Sequence, residues 1–313
     1  MFAASLLVGP AAVSLELAIR DLLAGGDSPA AIIFAEIRLP RALLGLMVGA
    51  VLGLSGAALQ GLLRNPLAEP GVVGVSGSAS FGAVVMFYTG LAASFPLALP
   101  LGGMAGAFLA VALLYSLAGR DSSVLTLVLA GIALNSFAAA LTSLALNLSP
   151  NPFAVAEIVF WLLGSLADRS LHHVAVAAPF MVVGAVLLLL SARALDALTL
   201  GEDTARSLGF DLGRLRARIV LGTALAVGAA VSVSGAIGFV GLVVPHLIRP
   251  LVGHQPSQLL PLSALGGAVT ILAADTGVRL LGSTQELKLG VVTALLGAPF
   301  FLALVLKTRR SLE

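Results

Sequence analysis

The feature that most constrains this chain is a succession of apolar runs, each roughly 20 residues long, parted by short breaks that hold most of its charge. A helix of that length rises about 30 Å, the thickness of a bilayer's hydrocarbon core. Charged residues occupy 10% of the 313 positions, where a soluble domain carries about 25% to cover its wet surface. That scarcity excludes a soluble enzyme, a disordered chain and a nucleic-acid binder. The pattern predicts an all-α polytopic membrane protein, a single domain over 1–313 with about ten transmembrane helices.

The runs place spans at 2–19, 41–63, 71–90, 97–118, 124–147, 174–192, 217–237, 239–252, 259–281 and 287–307. The eighth is too short to cross unaided and reads as a partial or tilted helix. Between 148 and 173 the composition is mixed, with Pro150, Pro152 and an apolar piece from Ile158 to Leu166 that suits an interfacial or re-entrant helix. Trp161 suits an interface anchor there. Basic residues set the orientation. With the C-terminus inside, Arg64, Arg120, Arg193, Arg206, Arg214, Arg216, Arg218, Arg249, Lys307, Arg309 and Arg310 are cytoplasmic. Arg20, Arg38, Arg41, Arg169, Arg279 and Lys288 are then outside. The majority puts both termini on the cytoplasmic side. Met1 runs straight into apolar sequence without the basic leader of a signal peptide, so the start reads as a first span.

Missing motifs narrow the function. The chain has no cysteine, which excludes disulfides and cysteine-ligated metals, and it has no G-x-x-x-x-G-K-[ST] phosphate loop. Acidic residues inside the spans are nearly absent, Asp275 being the main one. Ion-coupled carriers place ionisable groups near the bilayer midplane, so a self-powered secondary transporter is the weaker alternative and the energy source is expected on another subunit. Gly74-Val75-Ser76-Gly77 matches the nucleophile motif of intramembrane serine proteases. In a chain this rich in glycine, Ser76 reads more simply as a helix cap and the glycines as packing positions. Gly45, Gly49 and Gly53 recur every fourth residue, a helix-packing stripe. Gln60 and the lone His246 beside Pro245 read as structural. The adjacent His172 and His173 lie on the outer side but point different ways on a helix.

Two stretches are far more specific. One runs Arg38-Leu39-Pro40-Arg41, Gly49, Ser55-Gly56, Gln60 and Arg64-Asn65-Pro66-Leu67-Ala68-Glu69-Pro70 to Gly74-Val75-Ser76. The other runs unbroken from Gly235 to His246, then Arg249, Leu260-Pro261-Leu262-Ser263, Ala274-Asp275, Arg279 and Gly297-Ala298-Pro299-Phe300. Over about 36–307 the chain resembles the FecCD-type permeases, the membrane subunits of type II ABC importers for ferric siderophores, haem and cobalamin. It departs from them at Glu286-Leu287-Lys288, where the family has Glu-Leu-Pro. Losing that proline removes a rigid helix-start residue and puts a cation at the outer face.

The resemblance implies a non-catalytic permease in a bacterial inner membrane that homodimerises and carries no cofactor of its own. ATP and magnesium would sit on two partner ATPase subunits, and a periplasmic binding protein would deliver the cargo. It implies docking of that binding protein on Arg38, Arg41 and Arg279. Their position against the positive-inside trend also admits snorkelling or pairing with neighbours such as Asp275 and Glu36, whereas Arg forks suit incoming carboxylates. It places the ATPase-coupling helix within 193–218, with Glu202, Ala205, Arg206, Leu208 and Gly209 as contacts. Gly201 and Gly209 bracket a short helix whose first turn is acidic. It makes 124–147 the lining of the translocation pathway, through Thr126, Asn135 and Thr142, and puts Ser122 and Ser123 at the gate.

Overall fold

The computed structural model describes residues 1–9, 14–26, 28–118, 124–149, 151–281 and 286–310, and among these the chain is helical with no strand. The opening helices are α1 (Phe2–Leu7), α2 (Leu15–Leu23) and α3 (Pro29–Ile32), which runs through a π-turn at Ile33–Arg38 into α4 (Leu39–Leu63). A 3₁₀ turn at Pro70–Val73 leads into α5 (Val75–Tyr88), α6 (Leu91–Ser94), α7 (Ala98–Ala118), α8 (Val124–Asn147) and α9 (Pro152–Leu162). Then come α10 (Leu171–Leu189), α11 (Ala192–Leu198), α12 (Glu202–Ser207), α13 (Leu212–Ser234), α14 (Val240–Ile248), α15 (Pro256–Leu280) and α16 (Leu289–Arg310). Among the described residues six helical stretches can cross a membrane by length and composition, and α5, α9, α14 with its 3₁₀ extension, and α16 are shorter apolar helices.

Most predicted spans reappear within a few residues, 124–147 to the residue. The first does not. In place of one helix over 2–19, α1 stops at Leu7 with Val8 extended, and α2 starts afresh from Ser14, whose hydroxyl accepts the Leu17 N–H. The Gly9-Pro10 pair explains the stop, because proline cannot donate the next helical hydrogen bond and clashes with the preceding turn. Pro40 has a comparable effect inside the next span. It has no N–H for the carbonyl of Glu36, and the helix widens to a π-turn just before it while staying continuous over Pro29–Leu63.

The core is an α4–α15 pair buttressed by α13 and α14. On α4, a Cβ at Gly49 would overlap the Gly267 carbonyl, one at Gly53 the Ser263 carbonyl, and one at Gly56 the Gly241 carbonyl of α14. The expected glycine stripe is thus what lets the backbones touch. Gln60, at the end of that stripe, donates to the carbonyls of Gly241 and Leu242 at 3.3 Å and accepts from Arg249. Gly74 and Gly77 of the protease-like motif are taken up in packing: a Cβ on Gly74 would lie 2.9 Å from the Gly131 carbonyl, and one on Gly77 would overlap Asn135. Trp161 does not face an interface as its position in the sequence suggested. It is 9% exposed, with Phe87 edge-on at 6.1 Å.

Candidate functional site: two charged ends of one bundle

The helix α15 contains 25 residues and is therefore about 37 Å long. Between Arg41 and Arg64 on α4, and from Pro256 to Ala274 on α15, there is no Asp, Glu, Lys or Arg. Charge collects at the two ends.

At the first end, α4 and α15 bring Arg41 and Arg279, over 230 residues apart in sequence, onto the carboxylate of Asp275, and Arg38, at the close of the π-turn, shares the end of α1 with Arg279. Arg41 Nε donates to Asp275 Oδ1 and Oδ2 at 3.0 and 3.1 Å, and its Nη2 to Oδ1 at 2.8 Å. The same Nη2 also holds the carboxylate of Glu286. Arg279 Nη2 lies 3.0 Å from Asp275 Oδ2, the i,i+4 pair expected from the spacing. The remaining donors turn to the end of α1. Arg279 Nη1 donates to the carbonyls of Ser5 and Val8 at 2.8 and 2.7 Å, and its Nη2 to the Ser5 hydroxyl at 2.7 Å. Arg38 Nη1 donates to the carbonyls of Leu6 and Leu7, both at 2.9 Å. The carbonyls that a helix end leaves without partners are satisfied here by two guanidinium groups.

This end is turned inward. The side chains of Arg41, Arg279 and Asp275 are 12%, 6% and 3% exposed, and Arg38 is 5% exposed. Buried charges persist only when paired and hydrogen-bonded, and these are. Glu36, the neighbour suggested by sequence, lies exposed; the second carboxylate is Glu286, which the sequence reading did not link to Arg41. The only signal was its place in the Glu286-Leu287-Lys288 departure.

At the opposite end, the helix predicted between Gly201 and Gly209 forms as α12, bounded by those two glycines with φ of 110° and 88°. Glu202 at its start pairs with Arg206 at 3.2 Å and reaches Arg216 of α13 at 3.1 Å. Arg216 is 11% exposed, so the pair pins α12 to the bundle. Ala205 is fully buried and faces the core, which removes its side chain from the outward set, while Arg206, Leu208 and Gly209 are exposed. Asp196 on α11 accepts the Ser257 N–H at 2.9 Å, satisfying one of the free donors at the start of α15. Arg216→Ala is expected to leave the fold intact and loosen α12. A partly exposed pair of this kind contributes about 1 kcal/mol, so amides 202–208 should exchange with deuterium about fivefold faster; unchanged protection would show that the pair holds nothing.

Between the ends, α8 is the least covered span, 22% buried over its apolar window. Thr126 is exposed and Asn135 and Thr142 half-buried. Ala133, Ser136, Ala140, Ser143 and Asn147 follow one another at spacings of three and four along the exposed face. Ser122 and Ser123 lie outside the described residues.

An apolar helical bundle with short partial helices, its ion pairs gathered at the two ends of its central helices, defines a multi-pass membrane transport component. Comparison with known proteins makes this specific. The FecCD transport family matches residues 1–307, and the chain belongs to it. The cobalamin import system permease protein BtuC of Halobacterium salinarum is 41% identical, over 90% of this chain and 75% of its own length. The hemin transport system permease protein HmuU of Yersinia pestis is 40% identical, over 88% and 84%. A solved structure described as a metal-chelate type ABC transporter in an inward-facing conformation matches with a TM-score of 0.82 at 35% identity, covering 98% of this chain and 95% of that one.

Proposed function

We propose that the chain is the permease subunit of a binding-protein-dependent ABC importer in a bacterial inner membrane, both termini cytoplasmic, moving an iron complex or cobalamin inward. Two copies form the pathway, with the exposed face of α8 lining it. Two separate ATPase subunits bind ATP and magnesium and engage α12 through Arg206, Leu208 and Gly209. A binding protein docks at the end that carries Arg38, Arg41 and Arg279. No covalent chemistry takes place in this chain.

The observation that carries the reading is α12: a short, charged helix braced by Glu202 and Arg216 and projecting at the bundle's end, in a chain without a phosphate loop. Such a helix gives an external motor a rigid handle. The buried carboxylate of α15, Asp275, is held by Arg41 and Arg279 and so is not free to serve a proton or sodium relay. The cobalamin and hemin names of the relatives support the class of cargo.

The test is uptake into proteoliposomes that hold the chain and its ATPase, with binding protein, offering ferric siderophores, haem and cobalamin. Uptake of one cargo that requires both ATP and binding protein is expected, and uptake indifferent to ATP would overturn the reading. In the same assay Arg206→Glu is expected to drop uptake to background while ATP hydrolysis persists. Normal coupling in that variant would remove α12 from the ATPase contact.

A further inference from the structure

The carboxylates on Arg41 are not equivalent. Asp275 is 3% exposed and shared between Arg41 and Arg279. Glu286 is 33% exposed and pairs with Arg41. Arg41 Nη2 is shared between Asp275 and Glu286, and of these two carboxylates Glu286 is the one that solvent reaches. A carboxylate arriving from outside meets that position first.

Glu286 also stands three residues before α16, and the residues between are anchored differently. The Lys288 ammonium lies 5.9 Å from the centre of the Phe160 ring on α9, a cation–π contact at the position where the family has proline. The Gly290 N–H reaches the Gly164 carbonyl at 3.4 Å. The lead-in is thus tied to α4 by Glu286 and to α9 and the turn after it by Lys288 and Gly290. Beyond that point α16 is packed along one side only: Thr293 is 5% exposed and a Cβ on Gly297 would overlap Phe239, while the other side is open. Open apolar grooves of about 500 and 520 Å³ run along it, one beside Leu162, Ala236 and Ala298, the other beside Phe239, Val269 and Phe300. Leu295 and Leu296 are 70% and 69% exposed.

We propose that Glu286 is an exchangeable internal carboxylate: an acidic side chain of the docking protein replaces it on Arg41, and the exchange releases the α4 tie of α16. This rests on the docking reading above and adds to it a route from the outer face into the last helix. Because Glu286 is a third exposed, its pair is weak enough to be displaced, whereas Asp275, buried between two arginines, stays. Arg41 then keeps two carboxylates before and after docking, so no buried charge is stranded during the exchange.

The experiment uses the full-length chain with its ATPase subunits in nanodiscs. It measures the affinity of the transporter's binding protein, together with hydrogen exchange over 289–296. Glu286→Gln removes the internal competitor and is expected to tighten binding about fivefold. In that variant the first turn of α16 should exchange, without binding protein, as fast as in the wild type with binding protein bound. Arg41→Lys keeps a charge but loses the fork and should weaken binding. If Arg41→Lys weakens binding while Glu286→Gln leaves affinity and exchange unchanged, docking stands and the exchange is overturned. If neither variant alters affinity, the docking reading fails and the exchange falls with it.

Discussion

Replacing Gly53 by valine is expected to abolish recovery of folded protein. At Gly53 the backbone of α4 lies against the Ser263 carbonyl of α15, and even one added carbon would overlap it. Ordinary overpacking costs about 1–3 kcal/mol because side chains and backbone shift slightly. Here the obstacle is backbone of a second long helix, and relief requires separating α4 from α15 along their length. That separation also strips the contacts of Gly49 with Gly267 and of Gly45 with Leu272. Domains are stable by only about 5–15 kcal/mol. The measurement is size-exclusion chromatography of the detergent-solubilised protein, in which the monodisperse peak should disappear. The control is Gly277→Ala on α15, where an added Cβ meets nothing within 4 Å; helix propensity predicts a neutral or slightly stabilising effect there. A Gly53→Val protein that elutes and melts like wild type would refute the close packing.

Asp275→Leu is expected to be the most damaging single change in the charged end. It leaves Arg41 and Arg279, 12% and 6% exposed, without their shared counter-charge. Removing one partner of a buried pair typically costs about 3–5 kcal/mol. The remaining partners, Glu286 on Arg41 and the α1 carbonyls on Arg279, put the expectation near the lower limit, about 3 kcal/mol. The melting temperature should fall by several degrees and uptake to background. Asp275→Asn keeps one acceptor oxygen and should fall between the two. If Asp275→Leu melts as wild type, the cluster contributes nothing to the fold, and Arg38, Arg41 and Arg279 are free to act in docking alone. The cluster also affects how docking is to be tested. Arg38→Glu with Arg41→Glu would set two new carboxylates beside buried Asp275 and the α1 carbonyls, so a loss of stimulation in that double variant would mix docking with folding. Glu286→Gln separates the two, because it leaves the partners of Asp275 in place.

Much of this protein was legible from local pattern. Hydrophobic runs mark membrane helices because their length must match the bilayer, and that constraint acts on each segment separately. The bounds of α8, the existence of α15, the short helix between Gly201 and Gly209, and the partial span at α14 therefore followed from sequence alone. So did the packing use of Gly49 and Gly53, since a four-residue repeat puts them on one helix face. The first span was misjudged because hydropathy outweighed the Gly9-Pro10 break.

What the tertiary structure alone decided is which groups meet across distance. Arg41 finds Asp275 and Glu286, 234 and 245 residues away. Glu202 finds Arg216 and Asp196 finds the start of α15, while Ala205 turns into the core and Trp161 inward against Phe87. A charge in a sequence shows that it must be solvated or paired, because burial without a partner is too costly. Its partner depends on how the helices pack, and helix packing is a property of the whole bundle.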